Sequence, residues 1–176
     1  APLYSKGEEL FDYIWLENQS LALEIGEKLF NEPGDGCWTC HGTDGVGIKS
    51  QEAVSFMKSQ SNSNLRDVTT WTSHKIVSNY KAVNDGEIGQ RDIAISLIRL
   101  GATDWNANLV PVIKTIIDTD AVFFDDRMIG IHSKYLKKNS KAVVRKLKRN
   151  KTRFKSKDLM DIMATSVFLY IEKTMQ

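Results

Sequence analysis

Cys37-Trp38-Thr39-Cys40-His41 is the stretch from which the rest of this sequence can be interpreted. It contains both cysteines of the 176-residue chain and one of its three histidines. The other two histidines, His74 and His132, are isolated from each other and from this stretch. Because all the thiol chemistry is confined to five residues, their role decides which class of protein the sequence encodes.

Three of the possible roles account for the stretch only in part. A structural zinc site wants four nitrogen or sulfur ligands, usually including a second Cys or His pair, and the chain has no such pair. A thioredoxin-type redox motif belongs in a βαβ pattern, whereas the residues before Cys37 have helical periodicity. A local disulfide between Cys37 and Cys40 is possible but gives His41 no role.

Covalent haem attachment gives all three side chains a role. Each thiol adds across one haem vinyl group, the two-residue spacing matches the separation of the vinyls, and the histidine that follows reaches the iron as proximal ligand. We therefore expect one covalent haem c, with its iron, held by Cys37, Cys40 and His41. Such attachment usually takes place outside the cytoplasm, and the chain starts Ala-Pro-Leu, as after removal of a signal peptide. The sequence thus predicts a periplasmic location.

The remaining sequence predicts a single all-α domain over residues 1–176. Only three prolines and eleven glycines argue against a turn-rich β-sandwich, and no apolar run reaches the 18 or so residues of a membrane helix. Apolar residues recur every three to four positions in several segments, which predict helices: Ser20–Phe30, Gln90–Leu100, Val110–Ile117, Lys141–Arg149 and Lys157–Lys173. Ser156 is a plausible N-cap for the last of these.

The order of these features resembles the class I c-type cytochromes. A helix with Gly26-x-x-x-Phe30, then Cys-x-x-Cys-His-Gly, then a C-terminal helix ending in Phe-Leu-Tyr-Ile are the matching parts, over about residues 20–47 and 157–172. The resemblance implies a helical fold around the haem in which the first and last helices cross, with Gly26 allowing the approach and Tyr170 packing there.

Two features depart from that family. It usually carries a proline soon after the haem motif, whose carbonyl orients the proximal histidine, whereas this chain has no proline between Pro33 and Pro111. Another carbonyl would have to orient the His41 ring. The chain is also longer than a minimal member, and residues 1–19 and 131–157 are expected to be an N-terminal extension and a basic insertion.

The second axial ligand of the iron is left open by the sequence, with Met128 the first choice. In the family it is most often a methionine in the loop before the last helix, which is where Met128 lies. His132 and an open position are the alternatives. The remaining candidates have weaker claims, since they fall inside the last helix, at the chain end or too early in the chain: Met57, His74, Met160, Met163 and Met175.

The charge distribution suggests a docking partner. Residues 131–157 contain twelve Lys or Arg and no Asp or Glu, while the rest of the chain is acidic. The segment is either an ordinary solvated surface or a docking surface for an anionic partner, be it an acidic redox protein or an anionic membrane surface. Nucleic acid is not expected as the partner of an exported haem protein.

These features predict an electron carrier, or the electron-transfer subunit of a complex, and not an enzyme. The alternative is a haem-based binder or sensor of small ligands, in which the sixth coordination position is open or displaceable.

Overall fold

The computed structural model describes residues 14, 17–46, 68, 90–99 and 131–175. These residues form helices, turns and loops and no strand, so the all-α class is confirmed for the part of the chain that the structure describes. The helices of this part, which we number in chain order, are α1 (Gln19–Phe30), α2 (Trp38–His41), α3 (Gln90–Ile98), α4 (Ile131–Arg149) and α5 (Leu159–Met175). The predicted helix at Val110–Ile117 lies outside the described residues.

Helices α1 and α5 cross in direct backbone contact at Gly26. A Cβ atom at this position would overlap the Ser166 carbonyl and lie 2.8 Å from Cβ of Tyr170. Four residues further along α1, the Phe30 ring packs against the Tyr170 ring with centroids 5.6 Å apart. Since only a residue without a side chain fits between these backbones, the predicted close approach of the first and last helices is confirmed.

Helix α5 is the centre of the core. Its residues Asp161–Leu169 are all buried, which explains why its apolar pattern is wider than a single stripe. Helices α1, α3 and α4 all pack against it. Arg99, at the end of α3, forms an ion pair with Asp161 of α5, and both side chains are almost completely buried.

Helix α4 begins ten residues earlier than the sequence pattern predicts. It starts at Ile131 instead of Lys141. Its buried residues are three, seven and four positions apart, which places them on one face of the helix: Ser133, Leu136, Val143 and Leu147. The segment expected to be an inserted surface element therefore supplies side chains to the core. Its basic residues occupy the outer face, where most of them are exposed.

The start of α5 also differs in detail from the prediction. A 3-10 turn at Ser156–Asp158 leads into the helix, and Lys155, with extended backbone, occupies the N-cap position assigned to Ser156. Met163 is fully buried and Met160 packs partly against the core. None of the helices in the described ranges is long and apolar enough to cross a membrane.

Candidate haem-attachment site

The Cys37–His41 stretch is held against the end of α1 by a tight turn. Helix α1 stops at Phe30, before Pro33, and the chain reverses through residues 31–36. The Trp38 indole N–H donates to the Glu32 carbonyl at 2.7 Å, and the Thr39 hydroxyl donates to the Gly36 carbonyl at 2.7 Å. The two residues between the cysteines thus fasten the motif to the turn before it.

Helix α2 places the cysteines and the histidine on one short helical turn. The His41 N–H donates to the Cys37 carbonyl at 3.0 Å, and the Gly42 N–H donates to the Trp38 carbonyl at 2.8 Å. Gly42 then takes a φ of 81°, a backbone conformation that favours glycine. The glycine after His41 therefore ends the helix immediately behind the histidine.

Both cysteines are half-buried and neither is part of a disulfide. The Cys37 thiol lies 3.7 Å from the Leu29 carbonyl, to which it donates. Burial raises the pKa of Cys37 to about 12, with smaller contributions from the charges of Cys40 and Asp35. At neutral pH Cys37 is therefore a protonated thiol. If such a thiol added across a vinyl group, its sulfur would bond to one carbon and its proton would go to the other.

His132, in the first turn of α4, lies close to His41. The centroids of the two imidazole rings are 6.2 Å apart and the ring planes are inclined by 55°. Nδ1 of His132 lies 2.8 Å from the Leu97 carbonyl of α3, which positions this ring independently of His41. Burial lowers the pKa of His132, and the neighbouring backbone carbonyls of Leu97 and Ile98 oppose that shift only in part.

Two further contacts join α4 to the motif. The Tyr135 hydroxyl donates to the Leu29 carbonyl at 2.5 Å, the same carbonyl that accepts the Cys37 thiol. Lys138 forms an exposed ion pair with Asp35, two residues before Cys37, at 2.5 Å. Burial raises the pKa of Tyr135, so its phenol stays protonated and able to donate. These contacts fix the helix that carries His132 relative to the cysteines.

The structure brings together three of the four residues predicted to hold the cofactor: Cys37, Cys40 and His41 lie on one turn. Met128 lies outside the described residues, as do Met57 and His74. Sequence reasoning ranked His132 below Met128 and gave Tyr135 no role. The helical register of α4 could have indicated His132 and Tyr135, because residues 132, 135 and 136 lie on one face of a helix.

The chemistry of these side chains fits a covalently bound haem. The two thiols have the two-residue spacing and are not joined in a disulfide, and the His132 ring lies near the His41 ring. Within the described ranges there is no group of three or more His, Cys, Asp and Glu side chains placed to hold a metal ion. The side chains available to a haem are two thiols, which would bond to its vinyl groups, and two imidazoles, which could bind its iron.

Comparison with known proteins gives no match: no family model, no curated protein and no solved structure is significantly similar to this chain.

Proposed function

We propose that this protein is a mono-haem c-type cytochrome that carries electrons in the periplasm, either alone or as the electron-transfer subunit of a complex. The observation that supports the proposal is the position of the Cys37–His41 turn at the C-terminal end of α1: the Cys37 thiol contacts the Leu29 carbonyl, three residues after the Gly26 crossing with α5. That crossing and the thiol spacing are what the resemblance to class I c-type cytochromes implies. The two features are independent of each other, because one is a local motif and the other is long-range packing.

Each residue of the site has a distinct role in this proposal. Cys37 and Cys40 form the two thioether bonds, and His41 is the proximal ligand of the iron. The bound haem supplies a one-electron couple between ferric and ferrous iron. The buried side chains of α1 and α5 next to the motif, Leu29 and Phe30 among them, exclude water from one side of the site and so limit the reorganisation that accompanies the change in charge.

The proposed redox partner is a protein with an acidic docking surface. The outer face of α4 carries basic side chains that recur at helical spacing and are exposed: Lys134, Lys137, Lys138, Lys141, Arg145, Lys148 and Arg149. We call these seven residues the α4 stripe. Lys138 forms an ion pair with Asp35, and the less exposed Lys146 forms one with Glu24. The positive charge of most of the stripe can therefore attract an anionic partner. A stripe of one sign raises the rate of encounter with a partner of the opposite sign.

Redox titration of the purified holoprotein tests the electron-carrier function. We expect a single reversible one-electron transition in the visible spectrum and no prompt change when carbon monoxide is added to the reduced protein. A prompt change with carbon monoxide would favour the small-ligand binder instead. The variants Cys37→Ser and Cys40→Ser should each retain one thioether bond, which a pyridine haemochrome spectrum detects as one unsaturated vinyl group.

A further inference from the structure

We infer that His132 is the second axial ligand of the haem iron, so that the iron is held between two imidazoles. The inference rests on the proposed function, since it requires that a haem be attached at Cys37 and Cys40. It replaces a thioether from Met128 with a residue whose side chain the structure places directly at the site.

The distance between the two imidazole rings is the first observation. A metal–imidazole bond is roughly 2 Å long, and the ring centre lies about 1 Å beyond the ligating nitrogen, so two imidazoles on opposite sides of one metal have centroids about 6 Å apart. The centroids of His41 and His132 are 6.2 Å apart. The inclination of 55° between the ring planes does not disturb this match, because each axial ring can take any rotation about its own metal bond.

The hydrogen bond of His132 is the second, independent observation. Histidines that bind metals almost always donate their other ring N–H to a carboxylate, a backbone carbonyl or water, which fixes the tautomer and the ring orientation. Nδ1 of His132 has this kind of partner in the Leu97 carbonyl, at 2.8 Å. Nε2 is then the nitrogen that serves as ligand.

The anchoring of α4 is the third observation. Tyr135 and Lys138 lie one and two turns after His132. Tyr135 bonds to Leu29, just before the turn that leads into the motif, and Lys138 bonds to Asp35 within that turn. His132 is thereby tied to the cysteine-bearing turn at one end and to α3 at the other. A ligand held from both sides is preorganised, so exogenous molecules have to displace a fixed imidazole instead of filling an open position.

Two imidazoles give the iron a lower reduction potential than an imidazole and a thioether do. The ferric holoprotein should therefore show the near-infrared magnetic circular dichroism of bis-imidazole coordination and no far-red thioether band. This measurement needs no variant, so it tests the inference even if substitutions at position 132 prevent folding. A far-red thioether band in the wild-type protein would overturn the inference.

Variants then identify the ligand. His132→Ala should lose the low-spin spectrum, bind carbon monoxide promptly when reduced, and regain the bis-imidazole spectrum when imidazole is added. The matched control His74→Ala removes the other histidine outside the motif, and Met128→Ala removes the rival ligand; both should keep the wild-type spectrum. A low-spin spectrum that survives in His132→Ala but not in Met128→Ala would overturn the inference.

The two proposals fail in distinguishable ways. A haem-loaded protein with methionine coordination overturns the role of His132 and leaves the cytochrome function standing. A protein that takes up no haem in a host able to mature c-type cytochromes overturns both.

Discussion

At the residue scale, the close contact between α1 and α5 depends on the absence of a side chain at Gly26. Substituting Ala would improve the intrinsic helix propensity of α1. The same methyl group would overlap the Ser166 carbonyl, which is backbone and cannot rotate away. The steric effect is the larger one, because the whole of α5 would have to shift.

Gly26→Ala should therefore lower the free energy of unfolding by about 1–3 kcal/mol, the usual cost of overpacking a well-packed core. Chemical denaturation followed by circular dichroism measures the change. Gly34→Ala is the matched control, since no atom lies within 4 Å of a Cβ built there and its backbone is not in the left-handed region. Equal effects of the two substitutions would contradict the proposed reason for the glycine.

The hydrogen bond from the Tyr135 hydroxyl to the Leu29 carbonyl gives a second prediction at this scale. Tyr135→Phe keeps the ring but removes the hydroxyl that donates to the Leu29 carbonyl at 2.5 Å. We expect the free energy of unfolding to fall by about 0.5–1.5 kcal/mol, the net contribution of one hydrogen bond. The same denaturation assay measures it, and an unchanged midpoint would show that water replaces the hydroxyl without cost.

At the scale of elements, α4 shows why part of this fold could not be predicted. The periodicity of α1 and α5 is clear because their buried positions are occupied by apolar residues. In α4 the register is interrupted by a buried Ser133 and by basic side chains on every turn. A buried serine does not contribute to the apolar pattern of a helix. The apolar pattern therefore places the start of this helix at Lys141 and does not reveal the turn that carries His132.

Helices α3 and α5 are linked by the buried ion pair between Arg99 and Asp161. Arg99→Met removes the ion-pair partner of a buried carboxylate, so it should lower the free energy of unfolding by about 3–5 kcal/mol. The double variant with Asp161→Leu should recover much of that loss, because it buries no unpaired charge. Urea denaturation of the variants measures both effects.

The exposed pair of Lys138 and Asp35 is the control for this prediction. Both side chains are well solvated, so Lys138→Met should change the stability little. A loss in Lys138→Met as large as that in Arg99→Met would mean that burial is not what makes the internal pair sensitive.

At the scale of the whole molecule, the separation of charge predicts how the protein meets its partner. The rate of electron transfer to a redox protein with an acidic docking surface should fall steeply as ionic strength rises. Stopped-flow spectroscopy measures the rate. Lys141→Glu, on the exposed face of α4, should lower it several-fold at low ionic strength and make the salt dependence shallower.

Lys28→Glu is the matched control, because Lys28 is exposed on α1 and the change in net charge is identical. It should leave the rate within about twofold of the wild-type value, since its charge lies outside the α4 stripe. A flat salt dependence, together with binding to anionic phospholipid vesicles, would assign the stripe to a membrane surface instead.

The helical class and the crossing at Gly26 could both be predicted, because the first depends on local spacing and the second on one missing side chain. The relation of His132 to His41 could not. It depends on where α4 begins and on how α4 packs against α3, and no spacing along the chain encodes the distance between residues 91 positions apart. Met128 lies outside the described residues, so its predicted role stays a prediction.

Intact-mass spectrometry after acid denaturation and extraction with organic solvent tests the central claim most directly. The protein is first produced with an export signal in a host that matures c-type cytochromes. The account predicts that the polypeptide keeps its red colour and weighs more than its amino acids by the mass of one haem, a difference lost in the Cys37→Ser/Cys40→Ser double variant. A colourless polypeptide with the mass of the amino acids alone would contradict it.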